Sequence, residues 1–179
     1  ADGTARGVEE DLDQVVEACR ATGAESTWRA SSAEERDRIW NVRRQTSSAL
    51  KATGLVKINH DVVVPKGRVP QLFEVIAEMK RTYGLRVASF GHAGDGNIHV
   101  NLLLTPGDED ERSRAKAAET FLFTRVVALE GSISGEHGIG FAKAPYVPLE
   151  LSADEIALMK RVKAAFDPRG ILNPGKMFP

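Results

Sequence analysis

Hydrophobic residues recur along this chain at helical spacing in some stretches and at strand spacing in others, and that pattern maps most of its elements. Val8, Leu12, Val15, Val16 and Cys19 give the stripe of an amphipathic helix, which Gly23 ends. A short strand is expected over 25–29. Ser32 and Glu35 stand at the spacing of a capping box and open a helix that runs to about Ala52. Residues 57–64 end in Asp-Val-Val-Val before Pro65, the mark of a buried strand. Val69, Leu72, Phe73, Ile76 and Met79 give another helix, closed by Gly84. Two strands follow, 85–90 and 98–104, joined by a tight turn. Ala115, Ala118, Leu122, Val126 and Leu129 mark a further helix, and 132–140 is a glycine-rich loop. Ser152 and Glu155 repeat the capping box before a helix carrying Ile156, Met159, Val162 and Phe166, which Asp167-Pro168-Arg169-Gly170 breaks. The order α-β-α-β-α-β-β-α-loop-α mixes direct hairpins with helices. It predicts an α+β fold, an antiparallel sheet with helices packed mainly on one face.

The sharpest local signal is Gly91-His92-Ala93-Gly94-Asp95-Gly96-Asn97-Ile98-His99. Asp-Gly is a preferred centre for a type I′ turn, in which both central residues need positive φ. A turn centred on Asp95-Gly96 would pair His92 directly with His99, with Cβ atoms about 5 Å apart on one face. Asn101 lies two residues beyond His99 and would share that side. A second glycine cluster, Gly135-Glu136-His137-Gly138-Ile139-Gly140, carries an acid next to a third histidine. Two imidazoles and a carboxylate form a sound ligand set for Zn²⁺, Mn²⁺ or Fe²⁺, with positions open for a substrate. The competing reading is that these are ordinary hydrogen-bonded histidines of a turn and a strand. Neither glycine cluster follows a strand and opens a helix in the way a nucleotide-phosphate loop must.

Composition narrows the classes. A chain of 179 residues, 42% hydrophobic and 27% charged, has enough apolar material for one globular domain with its own core. A net charge of −1 gives no broad attraction to nucleic acid or to an anionic membrane, and neither is an expected partner. No apolar run approaches the roughly 20 residues of a bilayer span. The lone Cys19 excludes an internal disulfide and fits a reducing compartment, so a cytoplasmic setting is expected.

Three blocks carry a resemblance to a known family. GHAGDGNIHVN, SGEHGIG and DPRGILNPGK are similar to signature blocks of the FAD-linked oxidase C-terminal domain, found in glycolate oxidase flavin subunits, D-lactate dehydrogenases and D-2-hydroxyglutarate dehydrogenases. The resemblance runs from about Trp40 to the C-terminus, with the blocks in the family's order. It implies a ferredoxin-like cap domain over a flavin. FAD would be held mainly by a separate N-terminal domain, and the 179 residues would be a fragment lacking that domain and the start of the cap, inactive alone. It also implies roles. His92, His99 and Glu136 match ligands of a divalent metal, with Zn²⁺ or Mn²⁺ expected. His137 matches the catalytic base, and Asn101 a polar substrate contact. Arg43, in Trp40-Asn41-Val42-Arg43, matches the clamp on the substrate carboxylate. Ser47, one helical turn on, shares its face. Lys57 is a second carboxylate contact, and Asn173 in the tail block faces the flavin side. Taken alone, Arg43 and Lys57 read as solvated charges. His60 has no role in this scheme and reads as a surface or strand residue.

The implied partners are a small 2-hydroxy acid, the N-terminal FAD domain, and an electron-acceptor subunit, quinone or cytochrome. The last would bring peripheral contact with the inner membrane. Two readings from other classes stand beside this one. One is a free-standing divalent-metal hydrolase with Glu136 or His137 as base. The other is a non-catalytic interface module.

Overall fold

The structure, a computed structural model, describes residues 3–178, which divide into two units between Ala49 and Leu50. In the first unit, helix α1 (Ala5–Ala21) carries the expected apolar stripe, and the Thr4 hydroxyl caps it by accepting the Gly7 N–H at 3.2 Å. Helix α2 spans Ala33–Lys51. Its capping box forms in a displaced way. Ser32 Oγ accepts the Glu35 N–H at 3.2 Å, while the Glu35 carboxylate reaches one residue further back, to the Ser31 N–H and hydroxyl at 2.7 and 2.6 Å. Those bonds, above all the one from the hydroxyl, hold the Glu35 carboxyl below its usual range. The strand expected over 25–29 does not form. A strand needs a ladder for its backbone groups, and no other strand lies among the described residues of this unit. The Arg29 side chain bonds instead to Asp13 of α1, at 2.8 Å, and to Glu9.

The second unit holds strands β1 (Val56–Val63), β2 (Arg86–His92) and β3 (Asn97–Leu104), with helices α3 (Val69–Tyr83), α4 (Glu109–Ala128), α5 (Val147–Glu150) and α6 (Ala153–Phe166). The sheet is antiparallel throughout, with β3 between β1 and β2. After α4 the chain returns to β1 for a single antiparallel bridge, Ser132 with Val63. The order is therefore β-α-β-β-α with a one-residue remnant where a ferredoxin-like fold places its last strand. Gly84 ends α3 in the left-handed conformation, at φ 59°, and Ser152 with Glu155 makes a complete capping box on α6. Among the described residues no helix is long and apolar enough to cross a membrane.

Side chains alternate across a strand, and here the alternation sorts chemistry. Ile58, Val62, Ile98, Val100, Leu102 and Leu104 point to one face and meet Leu72, Ile76 and Met79 of α3 and Leu122, Phe123 and Val126 of α4. The opposite face carries Asn59, Asp61, Asn97, His99 and Asn101.

The hairpin differs from the expected register. His92 pairs with Asn97, and Phe90 pairs with His99. The turn is Ala93–Gly96, with Asp95 N–H to His92 O at 2.9 Å and Gly96 N–H to Ala93 O at 3.3 Å. A type I′ turn needs two residues at positive φ, and in this turn only Gly96 adopts it, at 73°. Gly96 is also held in place, because its carbonyl accepts the Val64 N–H at 3.1 Å and a Cβ there would collide with the Val64 carbonyl. The slip is two residues. Since strand periodicity is two, His92 and His99 stay on one face, as diagonal rather than direct neighbours.

Candidate functional site

The polar face of the sheet and the loop that crosses it form the site. His99 stands in the central strand and is nearly buried, while His92 ends the edge strand and is exposed. Their ring centroids are 6.1 Å apart. Between α4 and α5 the chain runs back over this face and brings Glu136 and His137 with it. Gly135 makes that approach possible, since a Cβ there would press to 2.9 Å against the Asn97 amide. Glu136 Oε1 lies 3.3 Å from His99 Nε2, and the His137 ring stacks on that of His99 at 5.3 Å and 27°. One nitrogen each from His92 and His99 and one Glu136 oxygen all lie within 4.8 Å of one another. Glu136 and His137 keep 54% and 47% of their side-chain surface open, so a ligand can reach them.

Asp61 anchors the loop. It lies opposite His99 on β1 and is fully buried. Its Oδ2 accepts the backbone N–H groups of Glu136 and His137, at 2.5 and 2.7 Å, and its carbonyl accepts the Gly135 N–H at 3.1 Å. The ammonium of Lys143, also buried, bonds to Oδ1 and, at 3.1 Å, to the carbonyl. His137 Nδ1 faces the same carboxylate at 3.4 Å. Burial pushes the Asp61 carboxyl up, but the bonds from Lys143, His137 and Glu136 outweigh it and hold the group at about 2. For Lys143, burial prevails over its pairing with Asp61 and lowers the ammonium from its usual value.

Asp61 and Lys143 were not among the residues expected from sequence. One signal was present. In Asn59-His60-Asp61-Val62, period two places the acid on the face opposite Val62, within an otherwise apolar strand end.

The structure brings His92, His99, Glu136 and His137 together. Lys57 lies on the same face of β1, opposite Leu103, about 13 Å along the strand from Asp61 at the usual rise. Asn101 is fully buried with its amide engaged. Its Oδ1 accepts Asn59 Nδ2 at 2.6 Å, and its Nδ2 donates to Ala88 O at 3.0 Å and to His99 O at 3.4 Å. Asn173 is exposed at φ 48° and accepts from Lys176 at 3.2 Å. It lines an apolar groove beside α6 with Val162, Phe166 and Leu172. The tail beyond it meets the glycine-rich loop, through Met177 N–H to Gly140 O at 2.8 Å. Arg43 and Ser47 belong to the first unit, half-buried and one turn apart on α2. His60 is a buried strand residue on the opposite face, with its Nε2 3.3 Å from Glu119.

The donor set fits a divalent ion. Bonds of about 2.1 Å place tetrahedral donors about 3.4 Å apart. The Glu136–His99 pair already has that spacing, and exposed His92 and Glu136 have room to turn inward. The described residues do not form a cradle for dinucleotide phosphates. Their two glycine clusters lie in the β2–β3 turn and between α4 and α5, and neither leads a strand into a helix N-terminus.

Comparisons agree with the resemblance and extend it. The sequence model described as FAD linked oxidases, C-terminal domain, matches residues 1–177. The glycolate oxidase subunit GlcD of Bacillus subtilis is 38% identical over 177 residues, which cover 99% of this chain and 38% of that protein. A probable mitochondrial D-lactate dehydrogenase of Danio rerio is 34% identical, over 98% of this chain and 36% of that protein. The D-2-hydroxyglutarate dehydrogenase of Stutzerimonas stutzeri is 37% identical, over 83% of this chain and 32% of that protein. The chain thus spans about a third of the length of these relatives, from 32% to 38%. With its fold, its clustered histidines and a match along nearly its whole length, the chain belongs to the FAD-linked oxidase C-terminal domain family.

Proposed function

We propose that this chain is the substrate-side part of an FAD-dependent oxidoreductase that converts a small D-2-hydroxy acid to its 2-keto acid. It would act as one domain of a longer polypeptide whose other part holds FAD. The observation that carries this reading is the convergence of two imidazoles and a carboxylate within 4.8 Å, with a third imidazole stacked against them, in a chain of this family. The names of its relatives (glycolate oxidase, D-lactate dehydrogenase, D-2-hydroxyglutarate dehydrogenase) support the substrate class.

His92, His99 and Glu136 would hold a divalent ion, Zn²⁺ or Mn²⁺. That ion would supply Lewis-acid polarisation of the substrate hydroxyl. His137 would take the hydroxyl proton on Nε2, since its Nδ1 faces Asp61. General-base help of this kind is worth about 10²–10⁴ in rate. Lys57, in the unit that carries the histidine cluster, would contact the substrate carboxylate; for Arg43, with Ser47 on the same helix face of the other unit, the family resemblance alone supports a two-point carboxylate clamp. Asn101 and Asn173 would complete the polar contacts to substrate and flavin. An electron-acceptor subunit, quinone or cytochrome would complete the cycle, in the cytoplasm or at the inner-membrane surface.

The test is oxidation of glycolate, D-lactate and D-2-hydroxyglutarate by the complete polypeptide, with a dye as electron acceptor. His137→Ala is expected to abolish turnover and keep metal content, and His92→Ala to lose both. Absence of turnover on every 2-hydroxy acid would remove the substrate class. Full activity of His92→Ala without metal would remove the ion.

A further inference from the structure

One buried residue, Asp61, ties down the loop that carries Glu136 and His137. Three consecutive backbone N–H groups, of Gly135, Glu136 and His137, end on Asp61, the first on its carbonyl and the others on Oδ2. Lys143 closes the same loop on the same residue, through both Oδ1 and the carbonyl. Asp61 and Lys143 are both buried. A buried ion pair is a weak source of stability, because desolvation offsets its attraction, and well-packed apolar residues often do as well. Its more useful property is geometric: it has one satisfactory arrangement.

That arrangement bears on two functional side chains. Fixing the Glu136 N–H sets where its side chain starts, and its carboxylate then reaches His99 at 3.3 Å. Fixing the His137 N–H, with the carboxylate 3.4 Å from Nδ1, favours the ring tautomer that carries hydrogen on Nδ1 and leaves the Nε2 lone pair outward. Lys143 neutralises the carboxylate, so a second acid, Glu136, can sit beside it.

We propose that Asp61 is a positioning residue, locked by Lys143, that sets both the metal-facing carboxylate of Glu136 and the tautomer of His137. This rests on the metal and base reading given above. It adds a residue and a mechanism of assembly that the reading does not need.

The experiment uses the 179-residue chain, Zn²⁺ as the probe, and ¹⁵N chemical shifts of the histidine rings at a pH where they are neutral. In the unaltered chain His137 should report hydrogen on Nδ1. Asp61→Asn should weaken Zn²⁺ binding about 10- to 100-fold, the usual effect of losing a partner that orients a ligand. It should also shift His137 toward a mixture of tautomers. Val126→Ala, which cuts the core beneath the opposite face, is the control for general destabilisation and should leave both signals unchanged. Unaltered Zn²⁺ affinity together with an unaltered tautomer in Asp61→Asn would overturn the proposal. If the unaltered chain takes up no Zn²⁺, the metal reading fails instead, and the His137 tautomer decides the role of Asp61. That spectrum needs no variant, so a fold lost in Asp61→Asn does not remove the test. Hydrogen on Nε2 in the unaltered chain would overturn the proposal.

Discussion

The two faces of the sheet each carry a histidine paired with a glutamate at the same distance, and the pairs have opposite character. On the helix-covered face, His60 Nε2 lies 3.3 Å from Glu119. The His60 ring meets Phe123 edge-on at 5.0 Å, and Tyr146 donates to Glu119 at 2.7 Å. Burial pushes the Glu119 carboxyl up, but the bonds from His60 and Tyr146 prevail and keep it below its usual range. On the other face His99 lies 3.3 Å from Glu136, whose side chain is 54% exposed, with His92 and His137 gathered around it. The closed pair is buried, packed against Phe123 and capped by Tyr146. The open pair is reached by solvent and has two more imidazoles beside it. Residue type does not separate them. Strand parity does, together with a loop that leaves one face accessible.

If the faces are independent, substitutions on one should leave the properties of the other intact. The largest effect is expected from Phe123→Ala, at the centre of the apolar face, which should cost about 3–5 kcal/mol in urea unfolding. Zn²⁺ affinity of the folded molecules should not change, and a parallel collapse of affinity would break the separation. Glu136→Gln is the reciprocal test. It should weaken Zn²⁺ binding by more than about 100-fold in calorimetric titration, as expected for a ligand rather than for a group behind one. Stability should stay within about 0.5 kcal/mol, because the site is exposed.

Acid provides the next, smaller effect. The Asp61 carboxyl is held at about 2 against an ordinary 3.8, so folding favours its charged form. The stabilisation is complete above the ordinary value and is lost as pH falls from about 4 toward 2. It is worth about 2 kcal/mol at neutral pH. An acid-unfolding curve should show this limb in the parent and a flattened one in Asp61→Asn. Smallest is Ser152→Ala, which removes the cap of α6 away from both faces. It should cost about 1 kcal/mol with no change in Zn²⁺ affinity. A change there would show that α6 is coupled to the site.

Much of this division was legible in the sequence, because both periodicities are local. The stripes of α1, α3 and α4, the Gly84 stop and the second capping box follow from neighbours within a turn or two. The shared face of His92 and His99 survived an error in the turn, since a slip of two residues preserves parity, although the direct pairing was lost. What sequence did not reveal depends on long-range contact. Residues 25–29 have strand-like composition but no ladder to join. The turn opened because Asp95 keeps negative φ while Gly96 is tied to Val64. Asp61 and Lys143 are separated by most of the second unit's sheet and helices, and only the returned loop makes them partners. The tail block meets the glycine-rich loop in the same way, through Met177 and Gly140.

Anomalous diffraction from crystals of this chain soaked in Mn²⁺ tests the central claim most directly. A single strong peak is expected within about 2.0–2.3 Å of one nitrogen each of His92 and His99 and one oxygen of Glu136, bond lengths ordinary for such ligands. No peak between these three side chains, or a peak held by other residues, would contradict the account.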